Sequence, residues 1–419
     1  MTARHTLTLL AASALTLLGA PAVAHAQWTE AIGLETAGYL RAEPYFFAVD
    51  DGASHEAGRF ELQSSVAARP ADILTISTDL ALVLQADMGL QRGSGQHSLL
   101  INEAWVELAP GLGASVLIGK RRLPWGAGFA DRPTDLLNPA PNPFEPSLLR
   151  EGAWVVAAQW AWEVWSVDLV YSPTVDEASG GWPDGLHAGP SESIFAGRVA
   201  VTAAETDLSV VYTLEREHHR AGLTAARYVT DDLELHGELL VRDDSPFPIP
   251  DAPSLLTRML EHDDEAPSVE ALLGAHYYHP DLGLDVTAEV EYFGAGLTAD
   301  DFDRVLELVQ LASTLGVGAP TDTAAFGGAN GGAQISALRQ LYAIGQVRYV
   351  QFESDWQLGV GARVGLEDGS TVVFPSIERR LGDATTFGLG AFVLLSPDDA
   401  EFSLIPLQWA GFGRLTSYF

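Results

Sequence analysis

Apolar and polar side chains alternate along this sequence in stretches of about ten residues, repeated to the last residue, and few folds accept such a pattern. In 233–242 one face carries Leu233, Leu235, Gly237, Leu239 and Val241, and the other Glu234, His236, Glu238, Leu240 and Arg242. In 284–292 Leu284, Val286, Ala288, Val290 and Tyr292 alternate with Asp285, Thr287, Glu289 and Glu291. The period returns at 60–66, 74–86, 208–215, 356–367 and 387–395. Period two is that of a strand whose two faces meet different surroundings. Strands of 9–12 residues exceed the roughly 5–6 of soluble sheets, and no fixed-length propeller repeat is present. A closed transmembrane barrel therefore fits better than a soluble sandwich, propeller or solenoid.

The connections alternate as well. Short turns fall at 69–72, 110–111, 163, 205–206, 231–232, 280–281, 354–355 and 382–383. Between them come mostly longer connections at 44–56, 90–97, 121–151, 174–191, 243–267, 296–335 and 397–403, with brief ones at His218-His219 and Asp368-Gly369. Short turns at one end and long loops at the other describe an antiparallel outer-membrane barrel, with periplasmic turns and extracellular loops. The count is 18 strands, within a range of 16–18, and an even number returns both termini to the periplasmic side. Trp154, Trp160, Trp162, Trp165, Trp356, Trp409 and Tyr418 cluster near strand ends, as interfacial aromatic girdles do.

Residues 1–26 read as a cleaved secretory signal: Arg4 and His5, an apolar run over 7–20, then Ala24-His25-Ala26. The run is too short to span about 30 Å of hydrocarbon as a helix, and nothing later reaches 18 consecutive apolar residues. The barrel domain is then 27–419, exported to the cell outer membrane, where lipid and lipopolysaccharide are its surroundings.

Charge bears on what passes through. Fifty-six acidic against 23 basic residues give a net charge of −33, which disfavours nucleic acid as a partner. The absence of cysteine removes thiolate metal sites and thiol nucleophiles. A barrel of 16–18 strands leaves an aqueous channel. Alternation aims Glu61, Asp79, Asp87, Glu103, Glu107, Asp168, Glu215, Glu234, Glu238, Asp285, Glu289 and Glu291 into it, against the fewer bases Arg242, Arg348 and Arg363. Confined carboxylates concentrate cations, so the expectation is a cation-preferring diffusion path for small solutes.

Two loops, 121–151 and 296–335, are candidates for folding into the pore. The first mixes Lys120, Arg121, Arg122, Arg132 and Arg150 with Asp131, Asp135, Glu145 and Glu151, which would set a transverse field or pin the loop by salt bridges. The second carries a helix signal, Thr298 and Asp301 at capping spacing, with Phe302, Val305, Leu306, Val309 and Ala312 on one face.

Other clusters carry less. The 261–265 run EHDDE lacks EF-hand spacing and reads as a solvated loop. His218-His219 has no third ligand nearby, and the glycines at 359, 361 and 365 lie inside a strand with no following helix. His236 and His276, with Glu238 and Ser268, come with no hydrolase motif, so no enzyme, metal or cofactor is expected.

Residues 409–419, WAGFGRLTSYF, resemble the aromatic-terminated last strand of Gram-negative outer-membrane proteins. The resemblance implies that Phe419 is the signal read by the barrel-assembly machinery. The segments GKRRLPWG (119–126), PTDLLNP (133–139) and REG (150–152) are similar to a strand–loop region of porin-like outer-membrane families, polysaccharide-export porins among them. A porin-like channel is the reading that follows. A substrate-specific transporter or polysaccharide exporter, or a structural barrel plugged by its loops, stand as alternatives, and a homotrimer stays open beside a monomer.

Overall fold

The computed structural model describes residues 33–48, 54–71, 73–87, 95–138, 152–173, 193–245, 259–260, 263, 265–315, 338–351, 355–397, 399–404 and 408–419. The expected signal at 1–26, Arg150, Glu145, Glu151 and most of 243–267 lie outside them.

The described chain forms one closed antiparallel sheet of 18 strands. In chain order these are β1 (Glu35–Ala48), β2 (Ser54–Ala71), β3 (Leu74–Asp87), β4 (Gly95–Gly111), β5 (Ala114–Arg121), β6 (Ala153–Ala161), β7 (Trp165–Ser172), β8 (Ile194–Ala203) and β9 (Thr206–Glu215). They continue as β10 (His218–Thr230), β11 (Leu233–Arg242), β12 (Ser268–His279), β13 (Leu284–Phe293), β14 (Leu341–Gln351), β15 (Trp356–Gly365), β16 (Thr371–Arg380), β17 (Thr385–Leu395) and β18 (Trp409–Tyr418). Each strand pairs with its sequence neighbours, and β1 closes the ring on β18 with Tyr39 opposite Tyr418. Gly38 and Phe419 exchange both backbone hydrogen bonds, at 3.0 and 3.1 Å. Closure leaves no sheet edge, the condition for placing strands in hydrocarbon.

The alternation reads directly as inside and outside. On β11, Leu235, Leu239 and Val241 are exposed while Glu234, His236, Glu238 and Leu240 are buried. On β13, Ala288, Val290 and Tyr292 point out while Thr287, Glu289 and Glu291 are buried. Large apolar side chains outside, such as Leu273 at 73% exposure, form the surface a hydrocarbon layer would cover. Trp160, Trp162, Trp165 and Tyr418 mark its short-turn end and Trp409 the opposite one.

The strands run further than the turn residues suggested: β1 continues through Pro44 to Ala48, and β2 begins at Ser54. Proline supplies no N–H, and the β1–β18 register accordingly skips Glu43 and Pro44. Pro375 interrupts the β16–β17 ladder in the same way.

A helix, α1 (Ala299–Leu315), lies in the long connection after β13. Thr298 caps it, its Oγ1 accepting from Asp301 N–H at 3.3 Å and donating to Asp301 Oδ2 at 2.6 Å. Its apolar face, Phe302, Val305, Leu306 and Val309, packs with the wall residues Val372, Phe374, Phe392 and Leu394. Glu401 ties this region together. Leu338 N–H donates to its Oε1 at 2.9 Å, Tyr342 O–H to its Oε2 at 2.5 Å, and its own N–H donates to Asp368 at 2.9 Å. Burial pushes the Glu401 carboxyl up to about 7.

Candidate functional site

The lumen is organised by the segment that follows β5. Lys120 and Arg121 still belong to the strand, and from 122 the chain becomes irregular and runs along the inner wall as a finger. Its neck is closed by an amide pair: Leu123 N–H donates to Asn138 Oδ1 at 3.0 Å, and Asn138 Nδ2 donates to Leu123 O at 2.8 Å. Trp125 and Leu137 then pack on Leu117, Val155, Val170, Ile194 and Val211, so the inner face of β5–β9 is apolar where the finger covers it. The residues of β6, AWVVAAQWA, carry the trace of this as an apolar run without sequence alternation, one face buried towards the finger and the other on the barrel exterior.

The finger's far end is held by two carboxylates. Glu238 Oε1 accepts from Ala127 N–H at 2.5 Å and Gly128 N–H at 2.6 Å, and its Oε2 from Thr134 N–H at 2.9 Å and Thr134 Oγ1 at 2.7 Å. Glu289 accepts from Phe129 N–H at 2.6 Å, Ala130 N–H at 3.0 Å and His236 Nε2 at 2.8 Å. The Phe129 ring lies 4.3 Å from the His276 ring centroid and 5.2 Å from that of His236. Gly128 permits this approach, since a Cβ there would stand 2.0 Å from Asp131 O. A loop amide row facing a buried carboxylate is the arrangement in which such hydrogen bonds are strongest.

The remaining lumen-side charges are largely matched. Glu61 meets Arg59 at 3.0 Å and Tyr39 O–H at 2.6 Å. Glu103 meets Arg122 at 3.6 Å, Glu107 meets Arg121 at 3.1 Å, and Asp168 meets Arg198 at 2.8 Å. Glu215 meets Arg220 at 3.0 Å, Arg242 meets Asp244 at 2.7 Å and Glu270 at 2.9 Å, and Glu291 meets Arg363 at 3.5 Å. Asp285 pairs with Arg348, and Glu43 with Arg414. Asp79, Glu234, Glu238, Glu289 and, on β16, Glu378 meet neither arginine nor lysine among the described ion pairs. Asp79 is held by Gln63 at 2.6 Å and Asn102 at 3.1 Å, and Glu234 lies 4.0 Å from His236. The side chain of Asp87 lies outside the described residues.

The bases near the finger are thus engaged locally: Arg121 and Arg122 pair with β4, and Arg132 Nε donates back to Gly128 O at 2.6 Å. Lys120 is fully buried. Asp131 and Asp135 are half-buried, and burial pushes Asp135 up to about 6 against the lowering bond from Asn138. Trp125, Thr134, Leu137 and Asn138 fall within the porin-like segments 119–126 and 133–139, whose resemblance gives them no individual role, and nothing in the sequence points to Phe129 or to the wall residues Glu43, Arg59 and Glu270. The paired glycines Gly126 and Gly128 were the available signal, because close backbone approach requires them. Among the described residues no group of three or more His, Asp or Glu is arranged to hold a metal ion.

A closed 18-strand antiparallel barrel with an inward loop is the porin-like fold of Gram-negative outer-membrane proteins. The outer membrane protein OpdK of Pseudomonas aeruginosa aligns at TM-score 0.52 and 8% identity, over 92% of this chain and 99% of that one. OpdQ of the same organism gives 0.52 and 9%, over 92% and 98%, and OccD3 (OpdP) gives 0.51 and 9%, over 92% and 90%. No protein-family model and no curated protein matches the sequence. At such identities the likeness is one of fold.

Proposed function

We propose that the protein is an outer-membrane channel through which small solutes diffuse, with a preference for cations. Residues 1–26 would be the export signal, and the last strand ending in Phe419 the segment offered to the barrel-assembly machinery. Long connections would face the exterior, next to lipopolysaccharide. No bond chemistry is assigned to any residue. A homotrimer is compatible with this reading.

The reading is carried by the uneven pairing inside the barrel: Asp79 and Glu234 stand on the lumen side with amide or histidine neighbours and no guanidinium partner among the described ion pairs. An unneutralised carboxylate in a narrow aqueous path attracts cations and repels anions. The finger and α1 both cover wall surface, which favours a selective passage over a wide general pore and keeps the substrate-specific transporter or exporter as the second reading.

A planar-bilayer measurement separates these. In a KCl gradient the reversal potential carries the sign of cation preference, and Asp79→Asn with Glu234→Gln lowers the K+/Cl− permeability ratio roughly twofold. Anion selectivity, or a ratio indifferent to both substitutions, overturns the cation assignment. Absence of any conductance, before and after removal of 296–335, supports a plugged structural barrel instead. Glu238 and Glu289 are unsuitable for this test because their loss also frees the finger.

A further inference from the structure

Away from the finger, the lumen wall over β14–β18 holds a groove. Strand registers lay it out in rows. One row runs Arg348, Gly359, Ser376, Gly390, Phe412 and Tyr45, and the next, nearer the short-turn end, runs Gln357, Glu378, Gly388 and Arg414. Glycines therefore stand between the charged positions and leave room for neighbouring side chains to fold over the wall. A Cβ at Gly359 would come 2.6 Å from Ser376 Oγ, and one at Gly390 2.3 Å from the Phe412 ring. The Phe412 ring lies over that backbone, and its centroid is 5.7 Å from that of Phe392. With Phe374 these rings make the groove apolar towards the long-loop end, where it runs under the α1 cluster.

The charges are arranged differently from those elsewhere in the lumen. Glu378 is half-buried and takes part in none of the described ion pairs or hydrogen bonds. Arg348 gives Nη2 to Asp285, and its side chain remains 48% exposed. Two strands and one row separate these positions, about 12 Å between Cα atoms from strand spacing and rise. Glu378 and the long Arg348 side chain then leave a gap, floored by Gly359, that is wider than a direct ion pair.

We infer that this groove is a binding site for a zwitterion whose two charges are set apart by an apolar group. Its ammonium meets Glu378, its carboxylate meets the outward nitrogens of Arg348, and its apolar part lies across β15 over Gly359, beside the Phe374 ring that covers Gly361. A simple cation would satisfy Glu378 and leave Arg348 facing water. A simple anion would do the reverse. This inference rests on the channel reading and names a solute class for the same pore.

The test uses three probes of one shape: 4-(aminomethyl)benzoate, the cation 4-methylbenzylamine and the anion 4-methylbenzoate. In single-channel recordings the zwitterion should interrupt the current with residence times at least tenfold longer than either counterpart. Glu378→Gln and Arg348→Gln each shorten that residence about tenfold, and Arg348→Lys restores most of it. Calorimetric binding of the same probes to detergent-refolded protein reads the site independently of current. Equal interruption and equal binding by all three probes, or residence unaffected by both substitutions, overturns the site while leaving the channel intact. A pore that never conducts yet binds the zwitterion selectively keeps the site and removes the channel.

Discussion

Among single residues, Asp135 is the one whose ionisation bears most directly on the docked finger. Its carboxyl accepts from Asn138 Nδ2 at 2.6 Å, beside the amide pair that closes the neck. Burial raises it from 3.8 to about 6. The folded finger thus binds this proton more readily than the unfolded chain does. Its contribution to stability is complete below pH 3.8 and lost as pH rises through 6. Hydrogen exchange in 122–138, corrected for intrinsic rates, should show weaker protection at pH 8 than at pH 5, and Asp135→Asn should remove the difference. Equal protection at both pH values in the wild type would contradict it. The inward and outward assignments of Glu234, Glu238, Glu289 and Glu291 were legible in the sequence, because a period of two admits one answer once a single face is known. Their partners were not. Which of Arg363, His236 or a loop amide meets each carboxylate depends on register between strands and on a loop brought in from β5.

The finger and the helix are held in physically different ways. Hydrogen bonds to two carboxylates fix the finger, and an apolar face fixes α1. Glu238→Ala removes four hydrogen bonds to a charged group and leaves three backbone N–H groups, two of them buried, without that partner, a loss of about 3–5 kcal/mol from finger docking. Larger single-channel conductance with frequent substates should follow, and unchanged conductance would mean that the finger stays seated without this anchor. The helix was legible in advance because both its signals are local: a capping threonine and apolar residues at helical spacing. The finger's seat was not, because Trp125 and Leu137 find their apolar wall on strands up to residue 211. The apolar run of β6 is the one part of that seat written locally.

For the whole molecule, the closed ring sets stability. Removing 409–419 would leave β17 and β1 with unpaired backbone groups facing hydrocarbon, each costing several kcal/mol. The truncated chain should fail to give the heat-resistant, fast-migrating band of a folded barrel on unheated gels, and a resistant band would show that the remaining strands close without it. Strand number and the apolar exterior follow from the pattern alone, since both answer to one requirement imposed along the entire chain. The finger adds a consequence in time. Ala127 finds Glu238 111 positions later in the chain, and Phe129 finds Glu289 160 positions later. Contacts so distant along the backbone close late, so the barrel wall must be substantially built before the passage acquires its final width, and any intermediate lacking β11–β13 would be wider inside than the finished protein.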